Sequence, residues 1–197
     1  MVPSHTSSYP LSRRQMYEKI ETFLHEHNTT GKRCLFIGED GTSGIISMLE
    51  PEKDVIITNK NECDIMEMPF EDNSFDVVVS DQVVEHVEDP FAAAREMYRV
   101  TKATGITIIT TCFMNPIHYN DSNDCCEDYW RFTPDGLRIL CKMYSTIHQS
   151  DGMGDFKLLY YCTSGHRGDR STASDLTKIA HENDGKTFIH TWIIAEK

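Results

Sequence analysis

What this sequence lacks narrows it before anything it contains. No apolar run approaches the roughly 18–20 residues of a bilayer span, so no membrane span is expected. Met1–Tyr9 has no basic stretch followed by an apolar one, so no secretory signal peptide is expected either. No GK[ST] follows a glycine turn, which excludes a P-loop, and the absence of GxGxxG leaves a nicotinamide dehydrogenase without support. Positive charge is scarce: 19 Lys+Arg face 31 Asp+Glu, a formal net charge of −12. Such a chain offers no basic face to displace phosphate counterions, so no nucleic-acid partner is expected, and no polybasic membrane attachment. The cysteines form no CxxC pair, and the adjacent Cys125 and Cys126 stand without one, so no metal site is expected. Cys34 and Cys112 lie in apolar strand-like runs and read as small buried hydrophobes. A reducing, cytoplasmic location is the simplest compartment.

What is present is globular. At 197 residues, 39% of them hydrophobic, the chain can build one α/β domain with a sizeable core. Residues 1–12 are polar and read as a flexible N-terminal arm, and 13–197 as a single domain. From Arg13 to about His27 the apolar positions Met16, Ile20, Phe23 and Leu24 follow helical spacing. Tyr9, Arg13, Arg14 and Tyr17 read as a solvated face of that helix rather than a lid. Strands are expected at 33–37, 54–58, 75–80, 106–111, 156–161 and 187–195. Helices are expected at 44–49, 91–100, 134–143 and 174–181. Asp89-Pro90 starts the second of these helices, since Asp caps and Pro fits the first turn. This alternation indicates a doubly wound α/β sheet.

In an open α/β sheet, ligands bind beyond the carboxyl ends of the strands. Gly38–Thr42, Thr58–Asn61, Ser80–Gln82 and Cys112–His118 fall at such ends. Gly38 and Gly41 allow a tight turn and close backbone approach. Glu39 and Asp40 beside them would repel a pyrophosphate and suit a cationic ligand.

The stretch from Asp64 through Met-Pro-Phe-Glu-Asp-Asn-Ser-Phe-Asp76 to Glu85-His-Val-Glu-Asp-Pro90 resembles class I S-adenosylmethionine-dependent methyltransferases of the small methyltransferase-11-like type. Pro116-x-His118 with Asp128-Tyr-Trp-Arg-Phe-Thr-Pro134 resembles a narrower subgroup associated with cell-surface glycan biosynthesis. The resemblance covers roughly residues 30–143. It implies a Rossmann-like, mostly parallel seven-stranded sheet with a reversed edge strand, and S-adenosyl-L-methionine as cofactor, released as S-adenosyl-L-homocysteine. Gly38, Glu39, Asp40 and Gly41 are implied around the methionine moiety, Thr58 and Asn59 at the ribose, Asp64 and Ile65 at the adenine, and Ser80, Asp81 and Gln82 beneath the sulfonium. Two departures stand out. Phe36 occupies the family's acidic place two residues before the first glycine, and Thr58 or Asn59 stands where the ribose-binding acid belongs.

The resemblance implies methyl transfer to a hydroxyl of a glycan or other small-molecule acceptor. A hydroxyl nucleophile needs a base, and histidine titrates near neutrality. His118, beyond the fifth expected strand counted with its family, and His86 are the two catalytic candidates. Tyr129, Trp130 and Arg131 could wall the acceptor, by stacking and by donating to hydroxyls. The acids around His118, including Asp121, Asp124, Glu127 and Asp128, read as a solvated loop rather than a cation site. The alternatives are a non-catalytic binding module of the same fold, favoured by Phe36, and a methyltransferase acting on a quinone-like or nitrogen acceptor. Oligomeric state is open.

Overall fold

Short runs of β-branched and apolar residues form the parallel part of a sheet: β1 (Cys34–Ile37), β2 (Val55–Thr58), β3 (Phe75–Asp81) and β4 (Thr101–Cys112). The computed structural model describes residues 9–27, 31–38, 44–48, 54–60, 62–118, 127–166, 169 and 173–197. β1 pairs in parallel with both β2 and β3, and β3 in parallel with β4. β1 is buried along its length and β3 nearly so, as continuous apolar strands covered on both faces are. β6 (His190–Glu196) runs antiparallel to β4 and to β5 (Thr146–Met153), which closes that end. The order is β2-β1-β3-β4-β6-β5.

The sheet has six strands among the described residues, not the expected seven. Residues 62–74, between β2 and β3, form turns. A further parallel strand would need crossovers of about a dozen residues on each side, and this stretch is too short for them. The expected strand over Phe156–Tyr161 is a helix, α5, capped by the Asp155 carboxylate, which accepts from the Leu158 amide at 2.8 Å. A short apolar run does not distinguish strand from buried helix, and here the cap decides. β5 went unread because its residues are polar and mostly half-buried, with no alternation to signal an edge strand.

The helices cover both faces. α1 (Arg14–Glu26), α2 (Gly44–Met48), α5 and α6 (Ser174–His181) pack on one side, where Met16, Ile20 and Leu24 meet Phe36, Val79 and Trp192. α3 (Pro90–Val100) and α4 (Pro134–Leu140) cover the other, where Ala93, Met97 and Leu137 meet Leu35, Val78 and Ile193. α3 starts as read, with Asp89 accepting from the Ala92 amide at 2.9 Å. The expected arm ends earlier than residue 12: Tyr9, Leu11 and Ser12 are buried, and the Leu11 amide donates to the Asp169 carbonyl at 2.8 Å. Tyr9 packs edge-on against Tyr17, ring centroids 5.5 Å apart. Both rings lie over Gly44, where a Cβ would stand 2.7 Å from Tyr9 Cδ1 and 3.0 Å from Tyr17 Cδ2. Gly44→Ala must therefore displace two buried aromatic rings. It is expected to lower stability by about 1–3 kcal/mol, read from the urea midpoint.

Candidate active site

The carboxyl ends of β1–β4 carry two groups of polar residues. The first surrounds Asp81, the last residue of β3. Its carboxylate is 5% exposed, yet fully engaged: the Tyr17 hydroxyl donates to its oxygens at 2.9 and 3.2 Å and the Thr110 hydroxyl at 2.5 Å. Gln82 follows in the left-handed region at φ +58°, which turns its amide to the Thr110 carbonyl at 3.0 Å and its Nε2 to the Thr110 hydroxyl at 2.9 Å. From the position just before α1, Arg13 Nη1 donates to the Tyr17 hydroxyl at 3.2 Å. Burial, reinforced by Asp81, pushes the Tyr17 phenol well above its usual range, so it stays a donor. Burial pulls the Arg13 guanidinium down, but Tyr17, Asp81 and Glu85 outweigh it and hold its proton more firmly.

Around Asp81 stand the other expected binding residues. Gly38 leaves β1 with its amide on the Thr58 carbonyl at 3.1 Å, and a Cβ there would come within 3.0 Å of Phe36 and 3.2 Å of the Asp81 carbonyl. Phe36, fully buried, packs with Tyr9 and Tyr17 on the α1 side, so β1 itself brings no acid to this end of the sheet. Thr58 is buried, and the Asn59 carbonyl closes a turn with the Cys63 amide at 2.9 Å. Asp64 is exposed and accepts from the Met66 amide at 2.8 Å, with Ile65 buried beside it. Ser80 is fully buried, and its hydroxyl has no hydrogen-bond partner. Glu39, Asp40 and Gly41 lie outside the described residues.

The second group sits beyond β4. His118 is half-buried, its Nδ1 3.3 Å from both the Pro116 carbonyl and Asp128 Oδ2. Burial lowers its proton affinity and His86 does the same, against the pull of Asp128, so the ring is held more firmly neutral. Asp128 is gripped through both oxygens by Arg131, and also accepts the His118 amide at 2.9 Å. Burial alone would raise its carboxyl. Arg131 and that amide outweigh it and hold it down at about 2. The His86 ring stands edge-on to His118, centroids 5.0 Å apart, with Nδ1 2.6 Å from the Glu127 carbonyl. Glu85, in the turn after β3, is fully buried and accepts from the Thr111 hydroxyl at 2.9 Å and the Cys112 amide at 3.3 Å. Burial, then Glu85, push the Cys112 thiol up to about 12.

Tyr129 and Trp130 hang on the Glu85 carbonyl through their amides, at 2.8 and 3.2 Å. Trp130 also donates its indole N–H to the Val87 carbonyl at 2.9 Å, and both rings are partly exposed at the rim. Arg131 is committed to Asp128 and to the Trp130 carbonyl at 2.8 Å. The sequence reading leaves Tyr17 and Arg13 on a solvated helix face, takes Cys112 as a small buried hydrophobe and does not carry Glu85 into the site. Tyr17 sits beside Met16 on the apolar stripe of α1, a position that marked it as buried rather than solvated. A groove of about 650 Å³ between α1 and β5, lined by Gln15, Lys19, His148 and Asp151 among others, contains none of the expected site residues.

Residues 44–109 match a family model described as a methyltransferase domain. The chain has the class I methyltransferase fold. Among solved structures of this fold, a putative sarcosine dimethylglycine methyltransferase from Galdieria sulphuraria superposes with a TM-score of 0.58 at 14% identity, covering 93% of this chain and 85% of that one. Phosphoethanolamine N-methyltransferase 2 of Haemonchus contortus, in complex with S-adenosyl-L-methionine, gives 0.56 at 18% identity over 91% of this chain and 52% of that one. In sequence, an uncharacterized methyltransferase of Schizosaccharomyces pombe is 51% identical over 41 residues, 21% of this chain and 15% of that protein. One from Mycobacterium sp. strain KMS is 42% identical over 50 residues, 25% of this chain and 20% of that protein. The matched stretch thus spans a fifth or less of these curated relatives. The stretch that the family model matches takes in β3, Asp81, Glu85 and His86.

Proposed function

We propose that this protein is an S-adenosylmethionine-dependent O-methyltransferase acting on a hydroxyl of a glycan or other small molecule. The observation that carries the reading is the buried Asp81 carboxylate at the end of β3, preceded by the unpartnered Ser80 hydroxyl. The unsatisfied buried hydroxyl awaits a polar partner, and the missing side chain at Gly38 lets the Phe36 ring and the Asp81 carbonyl close in on the backbone there. An acid at this point suits the ammonium of an amino-acid moiety, as a charge-assisted hydrogen bond. When bound there, S-adenosylmethionine supplies a methyl group on a positively charged sulfur, ready for in-line displacement.

The chain's own part is to orient and to take a proton. Gly38, Ser80, Asp81 and Gln82 hold the amino-acid end. Thr58, Asn59, Asp64 and Ile65 receive the ribose and base. At the other end, Tyr129 and Trp130 face the acceptor, with Arg131 fixing their loop through Asp128. An imidazole, that of His118 or His86, receives the hydroxyl proton. Both rings already have Nδ1 against oxygen acceptors, which leaves Nε2 for that task.

Calorimetric titration with S-adenosylhomocysteine tests the reading: saturable binding is expected, and no heat at about millimolar ligand would defeat it. Binding without methyl transfer to any acceptor in a mass-spectrometric screen would leave the non-catalytic module, the reading that Phe36 favours. Products methylated at nitrogen or on a quinone-like ring would replace the glycan acceptor. His118→Ala is expected to lower kcat by roughly 10²-fold while S-adenosylhomocysteine affinity stays within about twofold. Unchanged turnover would remove His118 from the reaction.

A further inference from the structure

The acceptor end buries a glutamate side chain among neutral hydrogen-bond donors. Glu85 is completely buried, and its oxygens accept from neutral groups, the Thr111 hydroxyl and the Cys112 amide. No cationic side chain among the described residues stands within ion-pair distance of it. The guanidinium nearby, on Arg131, is spent on both oxygens of Asp128. Buried charges are paired or hold a metal ion. Here a carboxylate oxygen of Glu85, the Cys112 sulfur and one ring nitrogen of His118 lie within 4.8 Å of one another.

We propose that Glu85, Cys112 and His118 bind a divalent cation of the zinc type. The donor set chooses the ion. Magnesium and calcium take oxygen ligands, whereas one thiolate, one imidazole and one carboxylate suit a borderline-soft ion. The charges balance, since carboxylate and thiolate together match the ion, and the Cys112 thiol releases its proton to solvent as the sulfur–metal bond forms. The supporting contacts are those that orient ligands in metal sites. Thr111 holds Glu85, while Asp128 and the Pro116 carbonyl face His118 Nδ1. Three protein ligands leave a fourth position, as in zinc sites that bind a reactant. That position takes the acceptor's polar group, a step that rests on the methyl-transfer reading, and with His118 on the ion His86 is the imidazole left free.

Metal-free protein, prepared by dialysis against a chelator, is titrated with zinc and, separately, with cobalt(II). One ion per chain is expected, and the cobalt form is expected to show the near-ultraviolet charge-transfer band of a thiolate ligand. Cys112→Ser is expected to abolish the band. Cys112→Ser and His118→Gln are each expected to weaken zinc binding by at least about a hundredfold, beyond the roughly 10–100-fold of a supporting contact. Their melting temperatures without metal should match the parent's, which separates lost ligation from lost folding. No saturable zinc binding, an affinity equal to the parent's in both variants, or a preference for magnesium would overturn the site. Titrating the metal-free protein with S-adenosylhomocysteine tells the two ideas apart: cofactor binding without zinc binding sinks only the metal site, and zinc binding without cofactor binding sinks only the methyl-transfer reading.

Discussion

Asp81→Asn is expected to weaken S-adenosylhomocysteine binding by about a hundredfold, roughly 3 kcal/mol, and to leave the melting temperature nearly unchanged. The asymmetry follows from what surrounds the side chain. Within the protein, Asp81 accepts from two hydroxyls, those of Tyr17 and Thr110. Hydroxyl protons rotate, so an asparagine amide of the same shape can keep one of these bonds and reverse the other. A cationic ligand has no such freedom. An ammonium facing an amide nitrogen loses its charge partner inside a water-poor site, and truncating one side of such a pair costs 2–5 kcal/mol or more by general experience. With Phe36 in the place of the usual acid, no second carboxylate from β1 compensates. Calorimetry against a parallel thermal melt checks both halves. Equal loss of affinity and stability would show that Asp81 serves the fold instead.

Arg99→Ala is expected to remove about 3 kcal/mol of stability, a fall in melting temperature of roughly 6–12 °C. Arg99 ties the turn after Ile65 to α3 with every part of its guanidinium. It donates to both Glu96 oxygens at 2.8 Å, to Asp72 at 2.8 Å, and to the Phe70 and Met68 carbonyls at 2.6 and 2.9 Å. Removing it strands two carbonyls and the largely buried Glu96 carboxylate, which also caps the Met68 amide at 2.8 Å. Arg99→Lys should recover little, because an ammonium cannot reproduce the planar fork. The same contact sets a pH dependence. The hydrogen bond from Arg99 holds the Glu96 carboxyl below its ordinary 4.5, against burial and with help from the Met68 amide. A folded-state value below the unfolded one means the stabilisation is complete above pH 4.5 and is lost as pH falls beneath it. Urea midpoints of parent and Arg99→Ala should therefore converge between about pH 7 and about pH 3. A gap that persists in acid would move the effect from charge to packing.

The parts of the fold that could be read from the chain were those whose information is local. Asp89-Pro90 carries both cap and first turn of α3, and the apolar run of β3 carries its double burial. Thr133 likewise announced α4, accepting from the Gly136 amide at 3.0 Å. Phe156–Tyr161 misled because its apolar run fits strand and helix alike, and the Asp155 cap outweighed strand propensity. β5 was illegible for the opposite reason: its pairing with β6 makes it a strand, and its own residues do not. The seventh strand was inferred from likeness, while the short link between β2 and β3 argued against it.

The sequence by itself determined the α/β layering, the glycine directly after β1, the acid at the end of β3 and the presence of His86 and His118 near the strand ends, because each rests on neighbours a few residues apart. Only the tertiary structure decided which side chains meet. Tyr17, which accepts from Arg13, reaches Asp81 from an N-terminal helix, and Glu85, Cys112 and His118 converge from a turn, a strand and a loop. Such meetings are set by how helices pack onto a twisted sheet, and no spacing along the chain encodes them.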